Sequence, residues 1–301
     1  MAQIVHAVGH VKLNTNCIAD VVRDSTGILG LHVTREASGQ VWLSSNGRVA
    51  ELVLVDAAEN STHTIGLEAL TAAQVEAAAG RVEGAGCRIT SREPSLDCMD
   101  AGVTFTTPEG LRFEIHTPIR NDIHHPRQLG MGVGPRRLDH MNLLSPDPQA
   151  TVRQLEAIGD LHMSEKMVND SLTWLYGGNR QHHLLGIVKS RAAGLHHYSF
   201  EFPEFSMYCR LGDLLDHHDR QLIWGPGRHR PGDNTYAYYL DSSGAMVECS
   251  GQMSTIADDA HFKPNIITNL ERPGNVRVMN VFGAPAPLEW REHFFPFTAL
   301  S

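Results

Sequence analysis

Histidine is the residue type that first suggests chemistry in this chain. It fills 18 of 301 positions, and it is both the commonest metal ligand and the usual acid or base near neutral pH. The histidines gather in a few short runs: His140 in LDHMNLLSPD (138–147), His182 and His183 in HHLLGIV (182–188), His196 and His197 in LHHYSFEF (195–202), and His229 ahead of the tyrosine-rich YAYYL (236–240). Glu248 lies inside the apolar run GAMVECS (244–250). An unpaired carboxylate would be costly to bury there, and ligation of a metal would remove that cost. Metal binding combined with proton transfer is the chemistry these residue types allow.

Three pairs are ambiguous. Adjacent side chains on a strand point to opposite faces. Only one of His182/His183, one of His196/His197 and one of Tyr238/Tyr239 can therefore enter a compact site, and residue type does not choose between them.

The elements that would position these groups are written twice. The first half runs VGHVKLN (8–14), a helical stretch over 16–29, strands at 41–47 and 50–56, and HTIGLEAL (63–70). A helix near 71–84 follows, then a hairpin over 102–118 that turns at Pro108-Glu109-Gly110. The second half repeats the order. A strand at 138–147 leads into a helix with Asp147 as cap and Pro148 in its first position. Strands follow at 173–178, 182–188 and 195–202, then a helix at 204–218 with Phe205, Tyr208, Cys209 and Leu215 on one side, and a hairpin at 236–250. Gly110 precedes Glu114 by four residues, as Gly244 precedes Glu248. His10 to Glu114 spans 104 residues, and His140 to Glu248 spans 108. The expected fold is α+β in two tandem homologous modules, 1–130 and 131–255, with a Gly/Pro-bearing linker near 119–136. An aromatic tail, 256–301, follows.

Aligning the halves sets His10, Thr64 and Glu114 against His140, His197 and Glu248. Threonine cannot replace an imidazole nitrogen, so the first set reads as a relic and the second as the working one. Two histidines and one carboxylate, with open positions beside them, make the facial triad of non-haem iron(II) oxygenases. One anionic and two neutral ligands leave the iron net positive, ready for an anionic substrate and dioxygen. Mn(II) suits the same ligands.

Composition narrows the partners. A net charge of −9, with no Lys/Arg cluster, speaks against nucleic acid or an anionic membrane surface. No apolar run approaches the roughly 18–20 residues that span a bilayer, and MAQIVHAVGHVKL does not read as a signal peptide. Five scattered cysteines, never spaced CxxC, argue for a reducing, cytoplasmic setting and against a disulfide framework. A homo-oligomer is expected on general grounds.

On these residues, GRHRPGDNTYAYYLDSSGAMVE (227–248) resembles the signature of type I extradiol ring-cleaving dioxygenases of the vicinal oxygen chelate superfamily. That group includes the 2,3-dihydroxybiphenyl and catechol 2,3-dioxygenases. The signature runs Gly-x-His, a Tyr about nine residues on, then Gly and the metal Glu, here His229, Tyr238, Gly244 and Glu248. The segments bearing His140 and the two histidine doublets match in order, and the resemblance covers about 1–255. It departs at Ser242-Ser243, where proline is common, and at the Arg-Pro-Gly that follows His229. The resemblance implies paired βαβββ units curled around a cavity, with the second module catalytic. It implies Fe(II), or Mn(II), on His140, His197 and Glu248. His183 would be the acid/base, and His229 and Tyr238 would hydrogen-bond the catechol oxygens. The implied reaction is extradiol cleavage of a catecholic substrate by O2. Within the same fold, the alternatives are a glyoxalase- or epimerase-like isomerase using its metal as a Lewis acid, and a ligand-sequestering protein.

Other groups are given bland expectations. His217 and His218 should be solvated, and His124 and His125 should lie in the linker. Arg228 and Arg230 should be structural or solvated rather than select an anionic substrate. Trp290, Phe294, Phe295 and Phe297 should pack rather than form a specific lid.

Overall fold

The computed structural model describes residues 3–124, 132–257, 260–268 and 276–299. The expected boundary between 130 and 131, and His125, lie outside the described residues.

The first module comprises strand β1 (Val5–Thr15), helix α1 (Ile18–Asp24), strands β2 (His32–Ala37), β3 (Gln40–Ser44), β4 (Leu52–Asp56) and β5 (Ser61–Ala69), helix α2 (Ala72–Val82), and strands β6 (Arg88–Ser91), β7 (Gly102–Thr106) and β8 (Arg112–His116). The second repeats the series: β9 (Leu138–Ser145), α3 (Pro148–Gly159), β10 (His162–Met167), β11 (Leu172–Tyr176), β12 (Leu185–Lys189), β13 (Gly194–Glu201), α4 (Met207–His217), β14 (Trp224–His229), β15 (Thr235–Leu240) and β16 (Met246–Gly251). Strand order is the same in both sheets, β2-β3-β4-β1-β5-β8-β7-β6 and β10-β11-β12-β9-β13-β16-β15-β14. In each, two βαβββ units meet at the centre, where β1 runs antiparallel to β5 and β9 antiparallel to β13. The expected fold class holds.

Local chemistry explains the elements. Asp147 accepts a hydrogen bond from the Ala150 N–H at the start of α3, with Pro148 in the first position. This cap satisfies a donor that the helix cannot. The central strands carry continuous apolar runs because both faces are covered. Val11, Leu13, Ile65 and Leu67 in the first module, and Leu143, Ile187, Leu195 and Phe200 in the second, belong to one buried cluster spanning both modules.

Three expectations change. Residues 182–184 precede β12, which begins at Leu185, so the His182/His183 pair does not lie on a strand. The inward face of α4 is Tyr208, Leu211 and Leu215; Cys209 is exposed and Phe205 lies outside the helix at 42% exposure. His217 is solvated, but His218 is half-buried against Gly27, whose absent side chain would come within 2.4 Å of the ring.

The tail extends both edges of the second sheet. Strand β17 (Asn265–Ile267) pairs with β10 and β18 (Asn280–Phe282) with β14. Between β17 and β18 lies helix α5 (Val276–Met279), and past β18 lies α6 (Leu288–Arg291). Strand β19 (Phe295–Pro296) pairs with β13.

The β15–β16 turn is held by a buried carboxylate. One oxygen of Asp241 accepts from the Ser243 N–H, the Ser243 hydroxyl and the Ala245 N–H, and the other accepts from Tyr198. Burial pushes its pKa up to about 6 against the pull of these donors. Asp241→Asn keeps one acceptor oxygen for the Ser243 and Ala245 donors, replaces the one that Tyr198 bonds with an NH2 group, removes the charge that strengthens these bonds, and should cost about 1–3 kcal/mol. Thermal unfolding should then show a midpoint lower by about 2–4 °C per kcal/mol. An unchanged midpoint would mean that the carboxylate does not hold the turn.

Candidate metal centre

β9, β13 and β16 are adjacent at the centre of the second sheet and carry His140, His197 and Glu248. All three side chains are buried, and their ligand atoms lie within 4.8 Å of one another. Among the described residues they form the one such group of His, Cys, Asp or Glu.

Hydrogen bonds fix the histidine tautomers. The Asp139 carboxylate accepts from His140 Nδ1 at 2.9 Å, so Nε2 presents a lone pair to Glu248 Oε2, 2.7 Å away. The Trp290 carbonyl, an acceptor only, takes the proton of His196 Nε2 at 2.8 Å. His196 Nδ1 is then bare and accepts from His197 Nδ1 at 2.8 Å. That leaves His197 Nε2 without a hydrogen-bond partner, 3.0 Å from the same Glu248 oxygen. Three electron-rich atoms therefore converge in a buried space and repel one another unless a cation lies among them. A divalent metal fits this donor set.

Proton affinities express the same demand. Burial opposes a charge on His140, yet Glu248 and Asp139 carry its pKa up to about 10. Burial holds His197 below its usual value despite Glu248. Burial would raise Glu248, but His140 and His197 keep it well below the carboxylate range. A proton and a metal ion compete for one place.

Each ambiguous pair resolves. Strand alternation sends His197 to the triad, and His196 becomes the acceptor that orients it. His183 lies in the turn before β12, with its ring 4.5 Å from that of His140, and it lines the cleft beside the triad. His182 sends its Nε2 toward Glu165, 3.4 Å distant, while its Nδ1 meets His183 Nδ1 at 3.0 Å. Tyr238 lines the cleft and Tyr239 packs into the main core. Tyr236 shares the face of Tyr238, but its hydroxyl accepts from Asn280. The Asn280 amide also donates to the Ala284 carbonyl, which leaves its oxygen to accept from His229 Nδ1 at 3.2 Å. His229 Nε2 is then free to accept from the Tyr238 hydroxyl at 2.9 Å.

The cleft wall holds residues that motif reading did not reach: Asn142, Trp174, Asn234 and Trp290. Asn142 follows His140 by two positions on the same strand face, a usable signal. It packs against Gly186, where any side chain would collide with the Asn142 amide. Asp139 is oriented in turn by Gln181. Trp290, expected only to pack, lines the cleft as well. Neither Arg228 nor Arg230 does.

The counterpart in the first module is closed. His10 and Glu114 face each other at 3.5 Å, and Ser95 donates to Glu114 through its N–H and hydroxyl. Strand register sets Lys12 where the second module has Asn142, and Ala50 where it has His183. Trp42, Leu96 and Met99 form an apolar cluster with Ala50.

Residues 7–115 match the Glyoxalase/Bleomycin resistance protein/Dioxygenase superfamily. The chain is 25% identical over 264 residues to metapyrocatechase of Pseudomonas sp. (strain CF600), covering 81% of this chain and 85% of that protein. It is 31% identical over 127 residues to metapyrocatechase 2 of Cupriavidus necator, a match spanning 41% of this chain and 39% of that protein. In fold it matches homoprotocatechuate 2,3-dioxygenase of Brevibacterium fuscum, solved as an anaerobic complex with 3,4-dihydroxyphenylacetate (TM-score 0.86, 21% identity, 98% of this chain and 93% of that one). It also matches a Mn(II)-bound glyoxalase of Novosphingobium aromaticivorans (TM-score 0.85, 23% identity, 99% and 97%). At these identities the structural matches establish the fold, which a dioxygenase and a glyoxalase share.

Anaerobic titration with Fe(II) or Mn(II) should show one tight site per chain, lost in His197→Ala and retained in Glu114→Ala. Asp139→Asn should keep the site but weaken it about 10–100-fold, the usual scale for groups that orient ligands. His196→Ala should be intermediate. Two tight metals per chain, or equal loss in His196→Ala and His197→Ala, would contradict this centre.

Proposed function

We propose that this chain, whose first module belongs to the Glyoxalase/Bleomycin resistance protein/Dioxygenase superfamily, is an extradiol ring-cleaving dioxygenase. It opens a catecholic ring beside its two hydroxyls, and both atoms of O2 enter the product. His140, His197 and Glu248 would hold Fe(II), which Mn(II) can replace. When bound, that metal supplies coordination of both catechol oxygens and of dioxygen, and a route for electron density from the ring to O2.

The observation that carries this reading is the acid–base inventory of the cleft. Beyond the three ligands, its described lining offers the imidazoles of His183 and His229 and the phenol of Tyr238, with no second carboxylate. Catechol cleavage needs a group that takes a proton from a ring hydroxyl and later returns one. His183 suits this role, because burial first, and then His140 and His182, hold its pKa well below the usual value. A neutral imidazole beside the metal can accept that proton. The Tyr238–His229–Asn280 chain orders the polar wall beside the ligands: Tyr238 donates its proton to His229 and so offers its hydroxyl oxygen as an acceptor for the remaining proton of a bound catechol. An isomerase of this fold needs a carboxylate base. The carboxylate beside His140, Asp139, is buried and engaged by His140 and Gln181.

In this reading, residues 1–130 form the supporting module, 131–255 the catalytic module and 256–301 a tail that closes the cleft with Trp290. Five free cysteines support a reducing, cytoplasmic setting, and a homo-oligomer is part of the same proposal.

The test is to load the protein with Fe(II) anaerobically, add a panel of catechols, and admit air. A yellow ring-opened product with matching oxygen uptake is expected from one of them. His183→Gln should keep its metal and still bind the catechol, yet turn over about 100-fold more slowly or worse. Metal lost together with activity would make His183 a ligand. Turnover near wild type would move the acid/base role to His229 or Tyr238. Isomerisation of a 2-oxoaldehyde–thiol adduct, without oxygen uptake on any catechol, would favour the glyoxalase-like reading.

A further inference from the structure

The first module carries a hollow where the second carries its own tail. In the second module, Trp224 stands opposite Tyr238, and Tyr238 opposite Glu248. Together with Tyr236 and Met246 they form an aromatic face. Trp290 lies against that face, 4.7 Å from Trp224 and 5.6 Å from Tyr238 between ring centres. In the first module, Ser91 stands opposite Thr104, and Thr104 opposite Glu114. Counting along the same strands sets Ser91 in the place of Trp224, Thr104 in that of Tyr238, and Arg112 in that of Met246. The aromatic face has become small and polar, and the space that takes an indole in the second module is a cavity of about 580 Å³ in the first.

Its lining has a definite character. Arg88 and Arg112 both face it, with His63, Thr64, Thr104 and Ser95, while Ile89 and Pro94 give it an apolar wall. Among the described residues no carboxylate lies within 4.0 Å of either guanidinium. Arg112 is half-buried and makes one hydrogen bond, to the His63 carbonyl at 3.3 Å. Glu93, at the rim, is the one acidic residue in the described lining, so the hollow is net cationic. A guanidinium fork matches a carboxylate better than any other common anion except phosphate.

We propose that this hollow binds a small aromatic carboxylate, with the ring in the space that corresponds to Trp290 and the carboxylate on Arg112 and Arg88. This site is separate from the metal centre and does not depend on the reaction performed there.

Calorimetric titration of the metal-loaded protein with benzoate tests it, with acetate and inorganic phosphate as comparisons. Benzoate should bind once per chain, more tightly than acetate or phosphate. Arg112→Leu removes a charge-assisted pair and should weaken binding about tenfold or more. Ser91→Trp restores the aromatic side chain found in the second module and should abolish binding while leaving metal stoichiometry unchanged. Ser91 is a half-buried residue at the end of its strand whose hydroxyl bonds only Glu93 nearby, so this variant stays informative even if Arg112→Leu fails to fold. Benzoate affinity unchanged in both variants would place its binding elsewhere and overturn the proposal. Acetate or phosphate binding as tightly as benzoate would overturn it too, since bare charge rather than a ring site would be at work.

Discussion

Two imidazole lone pairs and one carboxylate are pressed together in a buried space, and much of the second module serves to keep them there. Left alone the arrangement is unfavourable, because a buried carboxylate needs a positive partner and pays several kcal/mol without one. The fold prevents the easy escapes. With Asp139 accepting at Nδ1, only a second proton on His140 Nε2 or a metal can answer Glu248, and Asp139 cannot swing away while Gln181 holds it. His197 is locked by a longer chain that ends on a backbone carbonyl, through His196 to Trp290. Asn234 holds the other oxygen of Glu248. Each ligand is aimed by a partner with no freedom of its own.

The ligand-less first module contributes to this precision through two buried carboxylates. Glu51 accepts from the Leu138 N–H, the first residue of the strand that carries His140, and from Ser45. Asp24 accepts from the Ser242 N–H and hydroxyl and from Arg220, at the turn between the strands bearing Tyr238 and Glu248. Both contacts cross from one module to the other. Breaking either would leave a buried charge short of partners, which is far costlier than losing a surface pair. The first module thus stays coupled to the metal centre through the starting points of its strands.

Sequence showed the triad because register survives duplication. The near-equal spans from His10 to Glu114 and from His140 to Glu248 exposed the repeat, and showed Thr64 standing where the second module has the imidazole of His197. Period-two alternation correctly restricted the 196/197 and 238/239 pairs to one member each, since both lie on strands. It did not apply to 182/183, where a turn rather than a strand presents His183. Strands β2, β6, β10 and β14 escaped because they are short or polar and lack an alternating pattern. Asn280 and Trp290 were beyond reach for a different reason. They come from the tail, 30 or more residues past Glu248, and no local pattern says where a returning segment will land. The same limit made Trp290 look like mere packing.

That tail also accounts for the asymmetry between the modules. In the second, the carbonyl of Trp290 begins the chain of proton positions that bares His197 Nε2, and its indole needs an aromatic face to rest on. Trp224, Tyr238 and Met246 provide that face. In the first, Thr64 occupies the ligand position and takes the ring nitrogen of His63 as its own partner, at 2.7 Å. Burial lowers His63 to a pKa of about 4, so that ring stays neutral, and no positive charge is needed beside it. The missing ligand and the missing aromatic face thus occur together, at the two places Trp290 serves in the second module. Without a histidine to orient, nothing in the first module requires an indole and its carbonyl at that spot. Ser91, Thr104 and Arg112 can then leave it open.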